Sequence, residues 1–150
     1  MFSADLTYPA EFIRSFDGST DIKLWIKLLD EEGKELEEAL QGTDRAHVLK
    51  EAADVVYVIA PVMVLAQMLY ENGMLSDEVR DLAEEKVAFA DKYMTAVATM
   101  FSEDTVAKAL ELVHASNMSK LGEDGKPIRR DDGKILKGPN YKEPDLSGLI

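Results

Sequence analysis

Apolar residues recur every three or four positions along most of the first 121 residues, which is the spacing of one face of an α-helix. The pattern predicts four helices, at about 20–40, 44–70, 76–100 and 102–121, with short polar connections between them. Thr20 or Asp21, Ser76 and Ser102 precede three of these stretches and are typical N-cap residues. Helices with short connections pack antiparallel, so we expect an all-α fold, an antiparallel bundle of four to five helices.

The C-terminal residues follow a different pattern. Residues 122–150 hold five glycines and three prolines, which predict an irregular C-terminal arm, and its segment RRDDGKIL suits a short hairpin or turn. We expect one domain over residues 1–150, with this arm and an extra helical stretch at about 73–105. The apolar face of that stretch must pack on the bundle or on a second subunit. It is formed by Val79, Leu82, Ala83, Val87, Phe89, Ala90, Tyr93 and Met94.

The first predicted helix carries two carboxylates, Glu32 and Glu35, beside residues that we expect to be buried. The apolar stripe consists of Leu24, Leu28, Leu36 and Leu40. Unpaired buried carboxylates are costly, so the helix is exposed there, cations neutralise the pair, or a metal ion binds it. A solvated face is the common outcome for such a pair on a helix rich in glutamate.

The second predicted helix repeats this arrangement with Glu51 and Asp54 at the edge of its apolar stripe. That stripe consists of Val48, Ala52, Val55 and Ile59. If the two helices pack antiparallel, four carboxylates converge between them, and they repel one another unless cations lie among them. Hard oxygen ligands suit Mg²⁺ or Mn²⁺.

Composition and charge restrict the classes of function. The net charge of −12 argues against binding a nucleic-acid polymer, but not against a small phosphate ligand held through metal ions. The chain has no cysteine, which excludes thiolate metal sites and is compatible with a cytoplasmic location. The apolar run at residues 55–69 is shorter than the roughly 20 residues of a membrane span, and Pro61 interrupts it. We therefore expect a buried helix and no membrane partner.

The ordered acidic motifs resemble a known group of enzymes. E-x-x-E at Glu32 and Glu35, then E-x-x-D at Glu51 and Asp54 running into VVYVI, resembles the all-α nucleoside triphosphate pyrophosphohydrolases. This superfamily includes MazG-like, dimeric dUTPase and phosphoribosyl-ATP pyrophosphohydrolase-like proteins. Residues 114–146, with SNMSK and KGPNY, resemble the C-terminal signature of bacterial and phage members of the last group.

The resemblance implies hydrolysis of a nucleoside triphosphate to the monophosphate and pyrophosphate, as nucleotide-pool house-cleaning. The four acidic residues would bind Mg²⁺, with Mn²⁺ as an alternative, and the enzyme would be a homodimer or homotetramer. Asn117 and Lys120 would contact the nucleotide, and the arm with Lys137 and Tyr141 would fold over the site. The base, the sugar and the phosphate product stay undetermined by the sequence.

Several other residues have both a functional and a structural interpretation. Trp25 and Tyr57 would lie beside the carboxylates and bind the nucleotide, or pack in the core. We expect Arg129 and Arg130 in a solvated turn, and expect His47 and His114 to be structural or exposed.

Two other classes of function remain open at this point. One is a non-catalytic helical module that binds nucleotides or partners. The other is a di-iron carboxylate site at Glu111 and His114, which would need a second copy of the E-x-x-H motif.

Overall fold

The computed structural model describes residues 7–15, 21–131 and 135–150, and these residues form an all-α structure. Five helices follow one another: α1 (Thr7–Ser15), α2 (Ile22–Ala39), α3 (Arg45–Glu71), α4 (Asp77–Met100) and α5 (Glu103–Met118). A short 3-10 helix spans Ser147–Leu149. Within the described ranges there is no strand, only one isolated antiparallel bridge. The predicted helical bundle is therefore confirmed.

Side-chain caps fix where the four long helices begin. The carboxylate of Asp21 accepts a hydrogen bond from the backbone of Lys23, and that of Asp44 accepts from His47. The hydroxyls of Ser76 and Ser102 do the same at the starts of α4 and α5. Each cap satisfies a backbone N–H group that has no partner within the helix. Thr20, the alternative cap of α2, lies outside the described residues.

The sequence pattern missed the first helix, α1. It has only nine residues, and Pro9 lies in its first turn, where a proline costs no backbone hydrogen bond. The helix packs against α3 and α5, and Pro9 is buried. Nine residues are too few to show a clear helical periodicity in the sequence. Packing against neighbouring helices stabilises such a short helix more than its intrinsic helix propensity does.

The predicted apolar stripe of α2 is shifted around the helix. Leu24 is 41% exposed and Leu28 is half-buried, whereas Trp25, Ile26 and Leu29 are buried. At its N-terminal end, the core face of α2 is therefore formed by Trp25 and the isoleucines, one position after the predicted leucine, Leu24. Glu32 and Glu35 lie at the edge of this face. The prediction of Leu24 as a core residue was wrong.

Helix α3 is the central element of the core. It contacts α1, α2, α4 and α5, and its first two thirds are buried on nearly every side. Pro61 lies inside the helix and does not end it. By length and composition alone α3 could cross a membrane, but half of its most apolar window is buried inside the protein. This is the expected composition of a buried core helix.

Helix α4 packs on the bundle, against α2 and α3. Ala83, Ala90, Met94 and Val97 are buried, although Leu82 remains 39% exposed, contrary to its place in the predicted face. Gly33 of α2 allows close approach, since a Cβ atom there would lie 3.0 Å from the ring of Phe89.

The C-terminal arm turns back on α5. Arg129 bridges to Ile135 in antiparallel fashion, as the predicted hairpin requires, while the tip at 132–134 lies outside the described residues. The N–H of Gly138 then donates to the carbonyl of Lys120 at 3.1 Å. A Cβ atom on Gly138 would lie 2.7 Å from the carbonyl oxygen of Leu121, so only glycine fits there. The arm therefore crosses the C-terminal end of α5, beside Lys120.

Candidate metal and nucleotide site

Three of the predicted carboxylates meet between α2 and α3. Glu32, Glu35 and Glu51 each place a carboxylate oxygen within 4.8 Å of the other two. The antiparallel packing of the two helices around the connection at residues 40–44 brings them together. Oxygen atoms at this separation can share one divalent cation.

Glu51 is the most buried member of this group, at 4% exposed. Its Oε1 accepts a hydrogen bond from Lys50 at 3.0 Å and lies 3.1 Å from Nε2 of His47. Its Oε2 is buried and has no hydrogen-bond partner among the described residues. A buried carboxylate oxygen without a donor is costly, and a cation at this point would remove the cost. The donor set, all carboxylate oxygen, suits Mg²⁺ or Mn²⁺.

Asp54, the fourth predicted ligand, is held apart from the other three. Its Oδ2 accepts a hydrogen bond from Lys50 at 2.9 Å, so that Lys50 bridges Asp54 and Glu51. The sequence analysis missed Lys50. The signal was present, because a lysine four residues before an aspartate on a helix lies on the same face.

The crowding of like charges changes the protonation of the site. Burial and the neighbouring carboxylates raise the pKa of Glu32 to about 8. Burial also raises the pKa of Glu35 and of Asp54, although Lys50 partly offsets the rise at Asp54. Burial lowers the pKa of Lys50, but its ion pairs with the carboxylates outweigh this and hold the pKa above its ordinary value. Without a cation the site therefore disfavours the ionised form of these carboxyl groups, and a bound metal ion would favour it.

A cavity of about 320 Å³ opens beside the carboxylates. Five of the predicted substrate-binding residues line it together with the carboxylates of Glu32, Glu35 and Asp54. They are Trp25, Tyr57, Asn117, Lys120 and Tyr141. The remainder of the wall is largely apolar and includes Phe12 of α1. The lining of the cavity thus combines charged side chains with the aromatic rings of Phe12, Trp25, Tyr57 and Tyr141.

Trp25 and Tyr57 belong to the core and also line the cavity, so both of the roles considered from the sequence are compatible with their positions. Each is 5% exposed and belongs to the hydrophobic core, and each also lines the cavity. An aromatic ring in this position can pack against the core on one face and a ligand on the other.

Lys137 does not line this cavity. It lines an adjoining cavity of about 490 Å³ together with Lys50, His47 and Tyr141, and its ammonium lies 4.7 Å from the centre of the Tyr141 ring. Burial lowers the pKa of Lys120, and the charges of Lys137 and Lys50 lower it further. The three ammonium groups are thus near enough to repel one another, and a polyanion would relieve that repulsion.

Of the other residues named from the sequence, His47 lies beside Glu51, whereas Arg129, Arg130 and His114 do not line the cavity. Arg129 and Arg130 are exposed, as predicted. His114 is buried against Tyr57 and against Glu11 of α1, whereas Glu111 is exposed. This places the E-x-x-H motif of α5 apart from the four carboxylates and removes the basis for a di-iron site there.

Comparison with known proteins supports the acidic motifs. The model of the phosphoribosyl-ATP pyrophosphohydrolase family matches residues 8–72, which include α2, α3 and all four carboxylates. Over these residues the resemblance to the all-α nucleoside triphosphate pyrophosphohydrolase superfamily is confirmed. The C-terminal block at 114–146 lies outside the match, so its part of the resemblance stays a prediction. No significant match was found among curated proteins or solved structures.

Proposed function

We propose, from the premise that residues 8–72 carry the phosphoribosyl-ATP pyrophosphohydrolase family pattern, that this protein is a metal-dependent nucleoside triphosphate pyrophosphohydrolase. The substrate is a nucleoside or deoxynucleoside triphosphate, and the products are the monophosphate and pyrophosphate. The role is removal of unwanted nucleotides in the cytoplasm. The cofactor is Mg²⁺, with Mn²⁺ as an alternative.

The observation that carries this proposal is the buried, unpartnered Oε2 of Glu51 within the carboxylate cluster, next to a cavity with an aromatic wall. Glu35 is exposed and Glu32 is half-buried, but a solvated acidic face would have no buried oxygen like that of Glu51. The cavity size agrees with the lower range of about 300 to 1,000 Å³ for small-molecule sites.

The site has two halves, and each half would bind a different part of the substrate. Glu32, Glu35 and Glu51 would hold the metal, and Asp54 would join them when Lys50 turns from its carboxylate to the phosphates. Bound Mg²⁺ supplies charge neutralisation and Lewis acidity for attack of water at the α-phosphorus. Lys120 and Lys137 would bind the phosphates as point charges. Trp25 and Tyr57 would face the nucleoside.

A covalent mechanism has little support in the site. Ser116 lines the cavity, but its hydroxyl donates to the carbonyl of Lys142 at 2.7 Å and so is committed to holding the arm. Phosphoryl transfer requires positioning and charge neutralisation more than covalent help. The carboxylates and lysines of this site can supply both.

The test is release of pyrophosphate and of single phosphates from a panel of canonical and modified nucleoside triphosphates and phosphoribosyl-ATP, with Mg²⁺ or Mn²⁺. We expect metal-dependent pyrophosphate release that falls by at least about 100-fold in Glu51→Gln. Glu38→Gln, at an exposed position of α2, is the matched control and should retain activity. Binding of nucleotides without turnover by the folded wild-type protein would instead identify a non-catalytic binding module.

We also propose that the enzyme is a homo-oligomer, either a homodimer or a homotetramer. The support is a group of exposed apolar residues at the C-terminal end of α3. Met63 is 50% exposed, Met68 53% and Tyr70 69%. Clusters of this kind mark interfaces more often than free surface.

A further inference from the structure

A second polar cluster lies outside the carboxylate site and connects α1, α3 and α5. The Tyr57 hydroxyl lies 2.9 Å from Nδ1 of His114, and Nε2 of His114 lies 3.1 Å from Oε2 of Glu11. His114 is 7% exposed, so its contact with Tyr57 is buried, whereas its contact with Glu11 is only partly buried. We call Glu11, His114 and Tyr57 the polar relay.

One arrangement of protons gives every donor of the relay an acceptor within it, and the Tyr57 hydroxyl can donate to the carbonyl oxygen of Tyr8 as well. Burial raises the pKa of Tyr57, so the phenol keeps its proton and can donate it to Nδ1. A neutral imidazole that accepts at Nδ1 carries its proton on Nε2 and donates to the carboxylate of Glu11. Every donor in the relay then has an acceptor, which fixes the ring of His114 and the hydroxyl of Tyr57.

The relay also attaches α1 to the body of the protein. The ring of Tyr8 stacks on that of His114 with centroids 4.5 Å apart, and the Tyr57 hydroxyl lies 3.4 Å from the carbonyl oxygen of Tyr8. Phe12, one turn further along α1, meets the ring of Tyr57 edge-on at 6.0 Å. Three of the contacts of α1 therefore involve His114 or the tyrosine that it holds.

Phe12 and Tyr57 line the cavity beside the carboxylates, whereas His114 does not. Phe12 occupies the cavity wall only while α1 is docked. His114 thus acts on the cavity through its neighbours, without touching a ligand itself.

We infer that His114 is a positioning residue that couples docking of α1 to formation of the aromatic wall of the nucleotide cavity. This inference rests on the proposed function, because it takes the occupant of that wall to be the nucleoside. Loss of the relay weakens nucleotide binding and leaves metal binding intact. The carboxylates lie on α2 and α3, which pack directly on each other, and neither His114 nor Glu11 belongs to these helices.

The variants are His114→Asn and Glu11→Ala. Asparagine keeps an acceptor for Tyr57 and loses the contact with Glu11, while Glu11→Ala removes the same contact from the exposed partner, whose side chain is 49% accessible. Glu11→Gln keeps an acceptor oxygen and serves as the rescue variant. Glu111→Gln, at an exposed position on α5, is the matched control.

Each protein is titrated with the four deoxynucleoside monophosphates in the presence of Mn²⁺, and with Mn²⁺ alone, by calorimetry. Amide hydrogen exchange over residues 7–15 and the emission of Trp25, the only tryptophan of the chain, report on docking and on the cavity wall. We expect nucleotide affinity to fall about 5- to 20-fold in His114→Asn and Glu11→Ala. Affinity for Mn²⁺ stays unchanged, and Glu11→Gln recovers most of the loss.

The direction of the change in nucleotide affinity distinguishes the relay from an effect of charge alone. Removing the carboxylate of Glu11 would by charge alone favour an anionic ligand, whereas the relay requires weaker binding. Wild-type nucleotide affinity in both relay variants, or a gain in Glu11→Ala, overturns the inference. If the wild-type protein neither binds nor hydrolyses any nucleotide, the proposed function fails, and the inference fails with it.

Discussion

At the scale of single residues, the site depends on how a few buried charges are compensated. Glu51 has one carboxylate oxygen paired with Lys50 and one without a partner, and Asp54 is paired with the same lysine. Lys50 therefore stabilises the site in the absence of metal by taking the place of a cation. If a metal ion binds as proposed, it competes with the lysine for Asp54.

This competition predicts the behaviour of Lys50→Met. In EDTA we expect the free energy of unfolding to fall by about 1 to 2 kcal/mol, because two carboxylates lose their cation. Saturating Mg²⁺ should restore more stability to the variant than to the wild-type protein. The measurement is urea denaturation with and without Mg²⁺.

Lys34→Met provides the comparison, since Lys34 forms an exposed ion pair with Asp30 and such pairs contribute little. Equal losses in the two variants would contradict the special role of Lys50.

Glu32 predicts a dependence of stability on pH in the metal-free protein. Its pKa is raised from 4.5 to about 8, so between these values the folded protein binds a proton that the unfolded chain has lost. Stability therefore decreases as the pH rises through this interval, by about 1 to 3 kcal/mol. Denaturation in EDTA at pH 5, 6, 7 and 8 measures the slope. Glu32→Gln should flatten it, and an unchanged slope in that variant would refute the assignment.

At the scale of elements, the sequence predicted the four long helices and their caps but not the shortest helix. Regular spacing over 16 or more residues identified α2 to α5, whereas the nine residues of α1 are too few to show a period. The leucines of α2 predicted the core face correctly at Leu36 but not at Leu24, because Trp25 and Ile26 form the core face in the first turns of the helix.

The same limits apply to the candidate site. Spacing of three placed each carboxylate pair on one helical face. The packing of α2 on α3 brought Glu32, Glu35 and Glu51 together, whereas Asp54 is paired with Lys50. Lys50 and the residues of α1 were missed. Their part in the site depends on which helices pack against each other, and the periodicity of the sequence does not reveal this. Whether the chosen residues act in catalysis stays a prediction.

The contact between α2 and α4 gives a prediction at this scale. Gly33 has space for no more than a hydrogen atom before the ring of Phe89. We expect Gly33→Leu to lower the free energy of unfolding by about 1 to 3 kcal/mol, because overpacking must move α4. Adding Phe89→Ala should recover part of the loss, as measured by urea denaturation. No recovery in the double variant would show that the ring is not the obstacle.

At the scale of the whole molecule, an apolar surface on α3 is exposed among the residues that the structure describes. Met63 and Tyr70 of α3 border a cavity of about 430 Å³ that α4 closes on the other side. If this surface forms the interface of the proposed homo-oligomer, a charge placed there should separate the subunits.

We therefore expect the wild-type protein to be a dimer or tetramer by light scattering, and Met63→Glu to be a monomer at micromolar concentration. Ala98→Glu, at an exposed position of α4, should leave the assembly unchanged. A monomeric wild-type protein would rule out this interface, as would an oligomeric Met63→Glu.

The placement of all four carboxylates on one helical hairpin has a consequence for how the protein folds. Helices α2 and α3 are neighbours in the chain, so their contacts close a short loop at low entropic cost and can form early. The aromatic cavity instead needs α1, α5 and the arm, which lie far apart in sequence. We therefore expect the proposed cation-binding half of the site to form from local contacts before the half proposed to bind the base. A divalent cation present during folding would select for the correct hairpin first.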